Sequence, residues 1–251
     1  NRDLIYLGVS GDGDSASIGF GQFAHSIRRG VNMTYIVENN GVYGLTKGQF
    51  SATADRGSKS KKGVMNTDNA VDLVAIALQL GASFVARSFS GDKTQLVPLI
   101  AAAIEHKGAA FLDVISPCIA FNNHAGSTKS FDYVREHNDA VNRLDVLTGR
   151  EEITVDYAPG TVKVVEQHDG TNIALRKIDA DYDPHDRVVA LAFLQKHAAK
   201  GQIVTGLLYV DPEAEDLHSH LNTVESPLNT LEADALCPGS ATLEKINASL
   251  R

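Results

Sequence analysis

Two short segments hold the residues of this sequence whose types and spacing could do chemistry. Gly11-Asp12-Gly13-Asp14 follows the apolar run Leu4 to Val9, and Asn39-Asn40-Gly41-Val42-Tyr43-Gly44 follows the run Met33 to Val37. A small-residue loop between a strand and a helix lets the backbone approach a phosphate, and the helix N-terminus favours the anion. This loop also carries two acids. Asp12 and Asp14 would repel a bare pyrophosphate, yet would help to hold one through Mg2+, a hard cation that takes oxygen ligands and bridges carboxylate to phosphate. Asn40 could add a side-chain oxygen, and Val42 a backbone carbonyl, to an ion held by Asp12. The same letters imitate a dinucleotide fingerprint through Gly11, Gly13 and Ala16, with Glu38 ending the next strand. An NAD-binding dehydrogenase therefore stays open on this pattern alone. A calcium EF-hand does not fit, because Ser17 and Phe23 would stand where it needs Gly and Glu. No Gly-Lys-Ser/Thr follows, which removes a Walker loop.

An alternation of strands and helices must position both segments. Leu4 to Ser10, Met33 to Val37, Ser83 to Ala86 and Ala110 to Ile115 read as strands. Residues 15–30, Asp68 to Leu80 and Asp92 to His106 read as helices, with a long polar loop from Leu45 to Gly63. Strands separated in this way imply right-handed βαβ units and a mostly parallel sheet. The 25 residues between Gly13 and Asn39 are used up by one helix and one strand. The two loops then open on the same sheet edge, about 5 Å apart. Further on, Thr161 to Val165 and Ile173 to Arg176 suggest a hairpin turning at Asp169-Gly170. A helix (about Pro184 to Lys200), a strand (Ile203 to Val210) and an acidic, loop-like tail from Asp211 follow. The reading is an α/β fold with a cofactor domain over residues 1–150 and a smaller α+β extension over 151–251.

Bulk properties exclude several classes. The chain has 251 residues, 43% of them hydrophobic, and a net charge of −8. That charge argues against non-specific nucleic-acid binding, which needs Lys and Arg on phosphates. No run approaches 18 apolar residues, so neither a membrane-spanning helix nor a signal peptide is expected. The two cysteines, Cys118 and Cys237, have dissimilar surroundings and fit a reducing cytoplasm rather than a disulfide scaffold. The sequence opens at Asn1 and enters an apolar run at once, which reads as a truncated start.

Taken together, Gly11-Asp-Gly-Asp14 and Asn39-Asn-Gly-Val-Tyr-Gly-Leu-Thr-Lys-Gly-Gln49 resemble the β subunit of 2-oxoacid:ferredoxin oxidoreductases, over most of residues 3–140. The resemblance implies a thiamine diphosphate fold in which Asp12, Asn40 and Val42 ligate Mg2+. Gly11, Gly13, Asp14, Gly44 and Leu45 would line the cofactor. It implies that Lys47 meets the second carboxylate of a substrate such as 2-oxoglutarate, a role that suits a flexible point charge. It also implies that Cys118, in Ser116-Pro117-Cys118, is one ligand of a [4Fe–4S] cluster. Such a cluster takes four thiolates, so this expectation is conditional on cysteines preceding Asn1. The implied reaction is oxidative decarboxylation of a 2-oxoacid to an acyl-CoA, with electrons passed to ferredoxin. An α subunit would contribute the glutamate beside the aminopyrimidine. A non-redox thiamine enzyme and a non-catalytic scaffold relative are the other readings. Cys237, His25, His124 and His137 receive no role.

Overall fold

The apolar runs pair into one sheet. In the computed structural model, which describes residues 4–46, 48–58, 64–116, 153–166, 172–224, 226–237 and 239–250, seven strands take the order β1-β2-β6-β5-β9-β8-β7. Here β1 is Leu7–Gly11, β2 Met33–Asn39, β5 Phe84–Phe89, β6 Ala109–Ile115, β7 Val162–Glu166, β8 Asn172–Lys177 and β9 Gln202–Val210. The first four of that order are parallel. β9 then pairs antiparallel with β5 across a register shift at Val85/Ala86, β8 lies parallel to β9, and β7 antiparallel to β8. The hairpin and final strand therefore continue the same sheet instead of forming one of their own. A separate two-stranded ribbon, β3 (Val42–Tyr43) with β4 (Gln49–Phe50), leaves the carboxyl end of β2.

β5 is buried at every position and β6 at all but its last, as central parallel strands covered on both faces must be. Along them, alternate side chains feed two cores. On one face Val37, Val85 and Phe111 pack with helices α1 (Phe20–Arg28), α2 (Leu73–Leu80) and α4 (Arg187–Ala198), through Phe23, Ile27, Leu73, Ala77 and Leu194. On the other, Ile36, Phe84, Ala86, Ala110 and Leu112 meet α3 (Lys93–Glu105) through Leu96, Leu99 and Ala103.

Some boundaries differ from the sequence reading. The helix expected from Asp68 begins at Leu73, because Asp72 is the residue whose carboxylate accepts the Val74 and Ala75 amides. The helix expected over residues 15–30 is divided at Gly19 into a wide helical turn, Asp14–Ile18, and α1. The tail is not loop-like throughout. Residues 218–251, grouped with 1–4 as a unit distinct from 5–217, contain the helices Ala233–Leu236 and Ser240–Ser249. Among the described residues, no helix is long and apolar enough to cross a membrane.

Candidate functional site

β1 and β2 are parallel neighbours in register, with Gly11 opposite Glu38, so Asp12 and Asn39-Asn40 emerge side by side at the sheet's carboxyl edge. Asp12 is only 1% exposed. Its Oδ1 accepts the Asn40 amide (3.2 Å), and its Oδ2 accepts the hydroxyls of Ser51 and Thr53 (the latter at 2.6 Å). Among the described residues no Lys, Arg or His comes within ion-pair distance of it. Among the described residues this buried carboxylate leans on neutral donors. Oδ2 is filled by its two hydroxyls, while Oδ1 keeps lone-pair capacity beyond the Asn40 amide.

Asn40 is bent back by the turn at Gly41, whose φ of +74° is one that L side chains adopt at a cost. Its Oδ1 accepts the Val42 amide at 3.0 Å, a local turn bond. From there the β3–β4 ribbon carries the chain out and returns it, with Gly48 N–H on the Tyr43 carbonyl (2.9 Å) and Ser51 N–H on the Gly41 carbonyl (3.0 Å). That return puts Ser51 and Thr53 on Asp12. Tyr43 also crosses to the first loop, where its hydroxyl donates to the Gly13 carbonyl at 3.1 Å. A Cβ on Gly13 would lie 2.5–2.9 Å from the Tyr43 ring, so only glycine admits this contact.

The structure thus brings Gly11, Asp12, Gly13, Asp14, Asn40, Val42 and Gly44 together on two adjoining loops. Asp14 is exposed, with its carboxylate 3.4 Å from the Gly11 amide, and Leu45 is 98% exposed. Lys47, Cys118, His124 and His137 lie outside the described residues. Cys237 is exposed and unpaired.

The chemistry of the donor set fits magnesium. The described residues hold no cluster of three His, Cys, Asp or Glu side chains. A carboxylate, an amide oxygen and a backbone carbonyl are instead the partial shell that a hard cation completes with phosphate oxygens and water.

Sequence reasoning did not find the support behind this site. Asn39 Nδ2 donates to Asp113 Oδ1 (3.0 Å), and Arg87 Nε donates to Asp113 Oδ2 (2.7 Å). Arg87 also reaches Asp72 Oδ1 at 2.6 Å, and the Thr53 hydroxyl lies 3.0 Å from Asn39 Oδ1. Arg87 and Asp113 are register partners on β5 and β6. Burial pushes the Asp113 carboxyl above its ordinary value, against the pull of Arg87 and Asn39. Burial opposes the charge of Arg87 as well, but Asp72 and Asp113 outweigh it and hold the guanidinium protonated. A signal was there to be read: a lone Arg in Phe84-Val-Ala-Arg-Ser-Phe89 and a lone Asp in Phe111-Leu-Asp-Val-Ile115 interrupt strands that are otherwise almost wholly apolar.

Comparison with known proteins gives a domain match first. Residues 2–114 match the family described as thiamine pyrophosphate enzyme, C-terminal TPP binding domain. More narrowly, the chain is similar to 2-oxoacid:ferredoxin oxidoreductase β subunits. It is 37% identical over 197 residues to that subunit from a Sulfolobus species, covering 78% of this chain and 59% of the relative. It is 47% identical over 126 residues to the Saccharolobus solfataricus subunit (49% and 41%). It is 36% identical over 174 residues to the 2-oxoglutarate oxidoreductase subunit KorB of Mycobacterium tuberculosis (69% and 45%). A solved structure of the 2-oxoglutarate:ferredoxin oxidoreductase from Magnetococcus marinus, with 2-oxoglutarate, coenzyme A and succinyl-CoA bound, superposes with a TM-score of 0.62 at 27% identity. It covers 91% of this chain and 66% of that one. The chain spans about half the length of the curated relatives it matches.

Proposed function

We propose that this chain is the cofactor-binding β subunit of a 2-oxoacid:ferredoxin oxidoreductase, cytoplasmic and acting on 2-oxoglutarate with coenzyme A and ferredoxin. The observation that carries the reading is the Asp12 carboxylate, buried beside Asn40 at the end of two parallel strands, with no cationic partner among the described residues. In this reading Asp12, Asn40 and Val42 hold Mg2+, and the ion holds the diphosphate of thiamine diphosphate. Gly11 and Gly13 let the backbone approach, and Gly13, Asp14, Gly44 and Leu45 line the diphosphate or thiazolium end. When bound, the cofactor supplies carbanion chemistry at the 2-oxo carbon and takes up the electrons freed by loss of CO2.

Other assignments rest on the family resemblance. Lys47 meets the distal carboxylate of the substrate. Cys118 is one thiolate of a [4Fe–4S] cluster whose other ligands come from residues not in this sequence, since the chain holds two cysteines. An α subunit supplies the glutamate at the aminopyrimidine, so activity requires the complex.

The decisive experiment compares thiamine diphosphate binding with and without Mg2+ in the chain and in Asp12→Asn. The reading expects Mg2+-dependent binding that the substitution abolishes. Unchanged affinity in the variant would overturn it, and magnesium-independent NADH binding would point to a dehydrogenase instead. Complete complexes that assemble but show no 2-oxoacid-dependent dye reduction would mark a scaffold.

A further inference from the structure

Asp12 is not held by its own loop alone. We infer that Thr53, Asn39, Asp113 and Arg87 form a positioning relay for the Asp12 carboxylate, with the Thr53 hydroxyl as the joint that changes partner when a cation binds. The inference rests on the functional reading above and concerns how that site is set.

A hydroxyl has one proton to give. That of Thr53 has three oxygens in reach, Asp12 Oδ2 at 2.6 Å, Ser51 Oγ at 2.9 Å and Asn39 Oδ1 at 3.0 Å; Ser51 gives its own proton to Asp12, and Asn39 Oδ1 is the acceptor tied to the central strands. The orientation of Asn39 is dictated by Asp113, which accepts its Nδ2 at 3.0 Å. Reversing the amide would set its oxygen against the Asp113 carboxylate, so Asn39 Oδ1 must face Thr53. Asp113 is fully buried, and its second oxygen is taken by Arg87 Nε at 2.7 Å. Arg87 is fixed in turn by Asp72 at 2.6 Å, the residue that caps α2. An unbroken line of polar partners thus runs from the central strands to a loop acid that lacks a charged partner among the described residues.

In the cation-free state, charge places the Thr53 proton on the carboxylate, which is the nearer and more basic acceptor. A cation on Asp12 Oδ2 draws off that electron density. The proton then has Asn39 Oδ1 already in place. The half-buried hydroxyl therefore keeps an acceptor through the exchange. The relay lets Asp12 be hydrogen-bonded without the metal and still give it an oxygen without stranding a donor.

The test is a Mg2+ titration of thiamine diphosphate binding by calorimetry, using the full chain with its partner subunit. Thr53→Val should raise the half-saturating Mg2+ about tenfold, in the range seen when an outer partner of a metal ligand is lost. Thr53→Ser, which keeps the hydroxyl, should stay within about twofold of the unsubstituted protein. Asn39→Leu cuts the same link from its other end and should match Thr53→Val. The double variant should be hardly worse than either single one, because the two changes break a single pathway. A merely local role for Thr53 predicts multiplied effects in the double variant, and that result, or Thr53→Val within twofold at an unchanged unfolding midpoint, would overturn the relay. If Thr53→Val fails to fold, Asn39→Leu against Asn39→Gln answers the same question. Absence of Mg2+-dependent binding in the unsubstituted protein would remove the functional reading and the relay together. Normal binding there with silent variants would remove only the relay.

Discussion

Asp12 and Asp92 make a natural pair. Each is an aspartate 1% exposed, just beyond the carboxyl end of a strand, at the start of a helical segment. Asp92 caps α3 by accepting the Gln95 amide (3.1 Å), and its Oδ2 has Lys177 Nζ at 2.7 Å. Lys177 in turn lies over the Tyr157 ring, 4.4 Å from its centroid. Burial pushes the Tyr157 hydroxyl up to about 12, with Thr205 pulling the other way and Asp92 adding to the rise, so Tyr157 stays neutral. Asp92 is thus answered by a cation of its own chain. Asp12 has hydroxyls and an amide in the same role. A charge compensated internally serves the fold, whereas one held by neutral donors stays available to a cation from outside.

That contrast can be broken by experiment, beginning where the effect is largest. Asp92→Asn leaves Lys177 buried without its counter-charge and should lower unfolding free energy by about 3–5 kcal/mol. Urea denaturation measures it, and cofactor binding by the folded fraction should be unchanged. Asp12→Asn should do the reverse. Thiamine diphosphate affinity should fall at least about a hundredfold, close to 2.7 kcal/mol, while the unfolding free energy from urea moves by less than about 1 kcal/mol, since the Ser51 and Thr53 hydroxyls can turn to accept from the new amide NH2. If both variants lost stability alike, the two acids would be of one kind.

Gly13→Ala sharpens the geometry around Asp12 without touching a charge. The added methyl meets the Tyr43 ring, so the ring must shift and lose its bond to the Gly13 carbonyl. A cost of about 1–3 kcal/mol is expected for such overpacking. Smallest is a titration at the opposite edge of the sheet. Burial holds the His106 imidazole below its ordinary 6.5, although Asp211 pulls it upward, and Ser83 Oγ sits 2.8 Å from its Nε2. Above 6.5 both folded and unfolded chains keep it neutral. As pH falls from there through the folded-state value, the unfolded chain binds the proton first and stability is lost. His106→Gln should flatten the fall in thermal midpoint between about pH 7 and about pH 5.

Much of the cofactor edge could be read without coordinates. The two loops, their separation and their adjacency all follow from a single βαβ unit, in which distance along the chain fixes distance in space. Asp12 and Asn40 were legible for that reason. Arg87 and Asp113 were visible as letters but not as partners, because their meeting depends on the β5–β6 register, which a whole intervening helix separates. Ser51 and Thr53 were hidden in a polar loop, since nothing local says that the β3–β4 ribbon turns back onto Asp12. The start of α2 was misplaced because Asp68 and Asp72 are equally good capping residues by type, and only tertiary partners choose between them. The C-terminal strands were legible as strands, but their place in the main sheet rests on an antiparallel, non-local pairing of β9 with β5.

One edge of the molecule carries a different kind of consequence. Among the described residues β1 has a strand partner on one side only, and Leu7 and Val9, with Ile5 and Tyr6 just before them, are more than half exposed. An uncovered strand with bare amides, carbonyls and oily side chains is a template for any other strand that meets it. Light scattering from this chain alone should therefore climb with concentration and warming. Co-expression with a partner that shields that border would be the remedy, ahead of any change of buffer.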